Sequence, residues 1–274
     1  SNLCSWRFLY DTQYAVIDNF LVFKFWAGEQ LAYMMPVGSG DLKAILRELI
    51  EDADKEKHNF CMLGVCSNMR ADLEAILPGQ FTFTENRDYA DYIYLRSDLA
   101  TVKGKKFQAK RNHINRFRNT YPDYEYTPIT PDRIQECLDL EAEWCKVNNC
   151  DQQEGTGNER RALIYALHNF EALGLTGGIL HVNGKIVAFT FGMPINHETF
   201  GVHVEKADTN IDGAYAMINN EFANHIPEQY IYINREEDLG IEGLRKAKLS
   251  YQPVTILEKY MACLKDHPMD MVRW

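Results

Sequence analysis

TGGILHVNGKIVAFTFGMPINHETFGVHVEKADTNIDGAYAMINNEFANHI, residues 176–226, is the stretch whose reading decides the fold. Asn183-Gly184 supplies the two positive-φ positions of a type I′ turn, so the flanking apolar runs read as a hairpin. A third run follows, giving three antiparallel strands at about 177–182, 185–193 and 199–206. "NIDG" then reads as a turn and "AYAMINNEFANHI" as a helix. Downstream come a strand "QYIYIN", a helix "DLGIEGLRKAKLSY" and a last strand "PVTILEKYMACL".

Upstream the order is similar and shorter. Residues 15–37 read as a hairpin. A helix at 41–57 follows, with Leu42, Ile45, Leu46, Leu49 and Ile50 at helical spacing and Asp41 as N-cap. "NFCMLGVC" is a buried strand, "NMRADLEAILPG" a short helix, and "FTFTENRDYADYIYL" extended chain. Two further helices, "PDRIQECLDLEAEWCKVN" and "NERRALIYALHNFEAL", flank a polar loop, "CDQQEGTGN". The fold class is therefore α+β, with mixed, mostly antiparallel sheets flanked by helices. A duplicated unit is suspected from element order alone, with units 1–100 and 101–274.

Bulk numbers exclude several classes. The chain has 274 residues, 46% hydrophobic and 25% charged, an ordinary globular composition. No apolar run of about 18 residues encodes a membrane span, and no signal peptide is visible. The seven cysteines are irregularly spaced and show no zinc pattern, so free thiols in a reducing cytoplasm are expected. No metal site is expected. A net charge of −10 argues against a surface given over wholly to nucleic acid.

One segment breaks the acidic trend. "VKGKKFQAKRNHINRFRNTY", residues 102–121, holds Lys103, Lys105, Lys106, Lys110, Arg111, Arg116 and Arg118 and no acid, leaving about −17 on the rest. As a helix it sets Phe107, Ile114 and Phe117 on one face and Lys103, Lys106, Lys110 and His113 on another; Pro122 ends it. A solvated face is the plain reading. The missing i,i+4 acids favour an anionic ligand.

The element order is similar to the N-acetyltransferase (GNAT) fold, in which a splayed strand leads into a helix whose start receives the pyrophosphate of an acyl-CoA. Here the turn is Thr209 to Tyr215. The usual Gln/Arg-x-x-Gly-x-Gly/Ala appears with Asn210, Gly213 and Tyr215 at its three positions, and Asp212 adds a negative charge. Together with "SWR" at 5–7, "VKGKKFQAKRNHINRF" at 102–117 and "YINREEDLGIEGLRKAKLSYQP" at 232–253 resemble the bacterial family named after the C-terminal domain of phosphatidylglycerol lysyltransferase. That resemblance implies a tandem GNAT-like acyltransferase fold, kinship with peptidoglycan-bridge aminoacyltransferases, and transfer of an acyl or aminoacyl group to an amine or hydroxyl acceptor.

The donor is then an acyl-CoA such as acetyl-CoA, or an aminoacyl-tRNA. Lys105, Lys106, Lys110 and Arg111, with Asn112 and His113, are candidates for its phosphates. Val204, Asn210, Ile211, Asp212, Gly213, Ala214 and Tyr215 would line the donor turn. Glu205 is the lead general base for an ammonium acceptor, with His203 beside it; a strand-end carboxylate and a satisfied histidine are the plain readings. Strict alternation puts Gly201, His203 and Glu205 on one face and Phe200, Val202 and Val204 on the other. Asn234, Arg235, Glu237 and Asp238 follow an apolar strand, where ligands collect in α/β sheets. Asp238 could hold a donor amine or cap the next helix. Arg245, Lys246 and Lys248 form a second basic cluster, and Tyr215 or Tyr251 could protonate a leaving thiolate. A non-catalytic CoA- or polyanion-binding module and a peripheral protein attracted to anionic lipid are the rival readings. The expected location is cytoplasmic, peripheral to the inner membrane in the lipid-binding case.

Overall fold

The computed structural model describes residues 2–148 and 154–265. In chain order the elements are α1 (Asn2–Ser5), α2 (Arg7–Tyr10), β1 (Gln13–Ile17), β2 (Phe20–Ala27), β3 (Gln30–Tyr33), β4 (Val37–Gly38), α3 (Leu42–Lys55), β5 (Cys61–Val65), α4 (Ser67–Ile76) and β6 (Phe81–Glu85). Then come β7 (Asp91–Leu95), α5 (Arg96–Thr101), α6 (Gln108–Thr120), β8 (Glu125–Pro128), α7 (Ile134–Asn148), α8 (Glu154–His168), β9 (Thr176–Val182), β10 (Lys185–Pro194) and β11 (Thr199–Ala207). Last are α9 (Ala214–His225), β12 (Tyr232–Asn234), α10 (Glu242–Leu249), β13 (Thr255–Leu257) and β14 (Tyr260–Leu264). The class is the expected α+β, with two mixed, mostly antiparallel sheets. The expected loop at 150–158 lies outside the described residues as far as 153; from Glu154 the chain is helix.

The chain divides into two units. Among the described residues the small unit comprises 6–90 and 257–265, the large unit 2–5, 91–148 and 154–256. The division does not fall at residue 100. The extended run at 81–95 splits: β6 belongs to the small unit's sheet and β7 to the large unit's. The run at 253–264 splits likewise, into β13 on the large unit's sheet and β14 on the small unit's.

In the small unit the sheet order is β1-β2-β3-β5-β14-β6, with β4 paired to β2. Asp41 caps α3, accepting from the Ala44 N–H at 3.1 Å. Ile45, Leu46, Leu49 and Ile50 then fall inward and pack on Leu31, Tyr33, Phe60 and Met62. The free-thiol expectation is corrected here, because Cys61 and Cys263 form a disulfide. They face each other in the antiparallel β5–β14 register, with Cα atoms 4.1 Å apart. Directly opposed residues come that close only at non-hydrogen-bonded ladder positions. Among the described residues Cys4, Cys66, Cys137 and Cys145 form no disulfide.

In the large unit the sheet order is β13-β7-β12-β11-β10-β9-β8. The β9–β10 hairpin turns at Asn183 (φ 51°) and Gly184 (φ 71°), the two positive-φ positions that Asn-Gly supplies. β9, β10 and β11 form the expected antiparallel meander. One face of the sheet packs on α6 and α9 through Phe107, Ile114, Phe117, Leu180, Val182 and Met217. The other carries α7 and α8 through Cys137, Leu140, Leu163, Ile179, Phe189 and Phe191. Fully burying each such Phe stabilises the unit by about 2–3 kcal/mol.

Candidate functional site

β11 pairs in parallel with β12 only from Thr199↔Tyr232 to Gly201↔Asn234. β11 then runs on to Ala207, while the chain after β12 turns toward β7, where the Arg235 N–H bonds the Tyr92 carbonyl at 3.0 Å. The two strands therefore fork. At the fork β11 carries a bulge: Phe191 opposes Val204 and Gly192 opposes Val202, so His203 is the extra residue of β11 in the register. The bulge changes the phase of alternation. Phe200 and Val202 pack with Phe222 of α9, but Val204 packs with the α7–α8 core. The expectation that Val204 shares a face with Phe200 and Val202 is thus corrected. Glu205 is turned toward α9, where the Asn219 amide donates to it at 3.2 Å.

An ion pair and a hydrogen bond bridge the fork. Arg235 Nη2 donates to Glu205 Oε1 at 2.9 Å. Its guanidinium lies 4.7 Å from the centre of the Tyr251 ring and 5.6 Å from that of Tyr94. Burial opposes the charge on Arg235, but Glu205, then Tyr94 and Tyr251, outweigh burial and its affinity for the proton is raised. His203 Nδ1 lies 2.6 Å from Glu236 Oε1, which also accepts from the Asn2 amide at 2.6 Å. Glu236 holds φ 59°, a left-handed conformation uncommon for a non-glycine residue, and its N–H is fixed by Asn234 Oδ1 at 2.7 Å.

Beside the fork lies a groove of about 300 Å³ at the start of α9. Lys110, His113, Thr209, Asp212, Gly213, Tyr215 and Tyr251 are among the residues that line it. Gly213 sits at φ 82°, and a Cβ there would be 2.8 Å from the His113 carbonyl oxygen. Glycine is therefore required both by the turn and by the close approach of α6 to α9. Lys110 Nζ stands 3.9 Å from the Tyr251 ring centre. Burial, reinforced by Arg235, pushes the Lys110 amine down to about 8. Tyr215 accepts from the Trp144 indole at 3.1 Å, and burial pushes its phenol up, so it keeps its proton. Ile211 and Ala214 also line the groove, whereas Asn210 folds back on Asp208, donating to its carboxylate at 2.9 Å from both N–H and amide.

The basic stretch is mostly committed inside the molecule. Lys106 pairs with Asp98 at 3.0 Å, Arg116 with Asp212 at 2.7 Å and Arg118 with Glu221 at 3.5 Å. Arg111 donates to the carbonyls of Val102 and Gly104 at 2.5 and 2.7 Å. Asn112 and Lys105 are exposed and do not line the groove. Asp212, the acid of the turn before α9, is paired with Arg116, with His113 3.8 Å away. Arg116 holds the Asp212 carboxyl below its usual range.

The segment after β12 is an internal lock. Asp238 is buried and accepts from Arg245 Nε at 2.8 Å and Nη2 at 2.7 Å, from the Tyr92 hydroxyl, and from the Gly240 N–H at 2.9 Å. Arg245 holds its carboxyl far below the carboxylate range. Its oxygens are thus taken, and α10 starts after Ile241 without a side-chain cap. Lys248 points inward and donates to the carbonyls of Arg235, Glu236 and Glu237. Burial, then Arg235, pushes its amine down to about 8. Asn234 donates to Asp91 at 3.0 Å, and Lys246 is exposed.

Sequence reasoning passed over Asn219, Glu236 and Trp144. Asn219 had a signal, since two consecutive asparagines stand in an apolar helix and both are buried. Among the described residues no group of three or more His, Cys, Asp or Glu is placed to hold a metal ion, and no helix is long and apolar enough to cross a membrane.

A β-meander, a forked strand pair and a helix following the fork define an α+β protein of GNAT-like fold. Over residues 1–263 the sequence matches the family described as phosphatidylglycerol lysyltransferase, C-terminal, and the chain belongs to that family. It is 95% identical to a conserved protein of unknown function from Bacteroides thetaiotaomicron, whose crystal structure superposes with a TM-score of 0.94 over 96% of this chain and 89% of that one. The C-terminal domain of a putative lysylphosphatidylglycerol synthetase from Agrobacterium fabrum shares the fold at 14% identity, with a TM-score of 0.72 over 97% of this chain and 88% of that one. An uncharacterised protein of Mycoplasmoides gallisepticum is 25% identical over 175 residues, 62% of this chain and 55% of that protein's length. The chain thus matches little more than half of that curated relative.

Proposed function

We propose that the chain is a GNAT-like acyltransferase whose large unit takes an acyl-CoA thioester in the groove at the start of α9. The observation that carries this reading is the distribution of charge. Four of the seven cations of the basic segment are tied to partners of their own unit, which leaves Lys110 and His113 at the groove. One lysine and an imidazole at a helix start suit a compact pyrophosphate; a long polyanion asks for a continuous basic surface.

In this reading the donor's phosphates lie by Lys110, His113 and the α9 N-terminus, and its carbonyl faces the fork. The acceptor amine attacks the thioester carbon. The C–N bond forms, the C–S bond breaks, and the amine proton passes to Glu205, which keeps lone pairs beyond its bonds to Arg235 and Asn219. Tyr215, held protonated by burial, returns a proton to the thiolate. No covalent enzyme intermediate is required, since holding donor and acceptor together suffices. Asp238 takes no part, its oxygens being committed to Arg245, Tyr92 and Gly240.

Family membership favours a second reading, in which the donor is an aminoacyl-tRNA. Calorimetric titration with acetyl-CoA, free CoA and bulk tRNA at low and moderate salt separates the two. Salt-tolerant CoA binding that is weakened in Lys110→Ala supports the first. Binding of tRNA alone, falling steeply with salt, replaces it with the second. Turnover then separates enzyme from binding module: Glu205→Gln leaves donor binding in place and abolishes transfer only if the chain is catalytic.

A further inference from the structure

A strand at the end of a sheet offers a second chain a row of unpaired N–H and C=O groups, unless charge, proline or shortness blunts it. Three of the four sheet ends are blunted in this way. β8 carries Glu125 and closes on Pro128, β13 is three residues long, and β6 closes on Glu85. β1 is different. It is five residues long, pairs with β2 without a break in register, and holds no charge and no proline. Tyr14 and Val16 on it are 75% and 71% exposed.

The β1–β2 hairpin fixes which backbone groups face outward. Asp18 (φ 43°) and Asn19 (φ 67°) make a two-residue turn between the paired Ile17 and Phe20. Ile17, and with it Ala15 and Gln13, therefore exchange hydrogen bonds with β2. The N–H and C=O groups of Tyr14 and Val16 point off the edge. A second β1 laid there antiparallel, its Val16 opposite Tyr14 and its Tyr14 opposite Val16, forms four backbone hydrogen bonds about a two-fold axis at Ala15. The same register sets each tyrosine ring beside a β-branched side chain, a favourable cross-strand pair. It brings Asp11 opposite Asn19 and Asp18 opposite Thr12, so no carboxylate meets another. The strand is complementary to itself in hydrogen bonding, shape and charge.

We propose that β1 is a dimerisation edge, pairing antiparallel with β1 of a second copy so that the two small-unit sheets become continuous. This does not depend on the acyl-transfer reading. The test is sedimentation velocity of the full chain from low to high micromolar concentration, with hydrogen exchange of peptides covering residues 12–18 at both ends of that range. The expected result is a reversible monomer–dimer equilibrium, with exchange at Tyr14 and Val16 slowing as the dimer fills. Val16→Lys removes both tyrosine–valine pairs and sets two like charges near the axis, so it should weaken dimerisation on the order of tenfold, with thermal unfolding unchanged. Val16→Pro deletes an outward N–H and leaves every donor of the β2 ladder in place, and should weaken dimerisation by a similar factor. A monomer at every concentration overturns the proposal. So does a dimer that both variants leave intact, or one whose formation leaves exchange at residues 12–18 unchanged, since either places the contact on another surface.

Discussion

Gly213→Ala tests the geometry on which the groove rests. An alanine at φ 82° costs about 1–2 kcal/mol from the left-handed conformation alone. The new Cβ would also stand 2.8 Å from the His113 carbonyl oxygen and 3.2 Å from Phe117 Cβ. A backbone oxygen cannot swing aside, so α6 and α9 must separate, at a cost of about 1–3 kcal/mol. The total is about 2–5 kcal/mol. Gly174→Ala is the internal control, because Gly174 has φ 64° and nothing within 4 Å of an added Cβ; it carries only the conformational cost. Hydrogen exchange read by mass spectrometry on peptides from α6 and α9 measures both. Gly213→Ala should speed exchange there more than Gly174→Ala by about 5- to 150-fold, the equivalent of the 1–3 kcal/mol contact cost. Equal effects from the two substitutions would refute the close approach and, with it, the glycine-dependent shape of the groove.

Asp212→Asn removes the carboxylate at the mouth of the groove and releases Arg116; affinity for a phosphate-bearing donor should rise on the order of threefold at low salt, the gain shrinking in titrations at higher salt. Lys110 has a lowered pKa of about 8 against an ordinary 10.5, so its charge is disfavoured in the folded state. That penalty is complete below pH 8 and is relieved as pH climbs from 8 toward 10.5, so wild-type urea midpoints should gain there and Lys110→Met should lose the gain. Donor affinity should move the opposite way, falling above pH 8 as the ammonium is lost. Asp238→Asn breaks a buried pair with Arg245 and should cost about 3 kcal/mol. The depressed carboxyl stabilises the protein above its unfolded pKa and loses that effect as pH falls into the acid range, so acid unfolding should begin at higher pH in wild type than a pH-insensitive pair would allow, and denaturation of Asp238→Asn should lack that acid limb.

The sequence is most informative where one residue type is needed by the backbone itself. Asn183-Gly184 marks its hairpin because both positions take positive φ, and Asp41 marks a helix start because its oxygen meets the Ala44 N–H. The bulge at His203 has no such marker. It follows from pairing with β10, and it moves Val204 to the opposite face from the one strict alternation gives. Partners far apart in sequence were equally hidden. Segment 102–121 contains no acid, yet Asp98, Asp212 and Glu221 reach it from outside. Cys61 and Cys263 meet across 202 residues because β14 inserts between β5 and β6. Asp238 reads as a ligand or as a helix cap; it does not cap α10, and the Arg245 and Tyr92 that hold its carboxylate are set by the fold around it.

The fork explains why so much charge is buried beside one groove. Arg235 and Lys110 both lie against the ring of Tyr251, and Glu205 is the carboxylate that faces them. Two cations and one anion in a weakly screened setting are mutually costly, and the second cause of Lys110's lowered pKa, after burial, is Arg235 itself. Replacing Arg235 by an apolar residue would lift that cost but leave Glu205 buried and unpaired, which is worse. The arrangement becomes balanced when an anion lies over Lys110, since a phosphate there restores the ammonium that burial and Arg235 oppose. A phosphate-bearing ligand would therefore draw a proton into the protein near pH 8 as it binds, a proton uptake that titration in buffers of different ionisation enthalpy would detect.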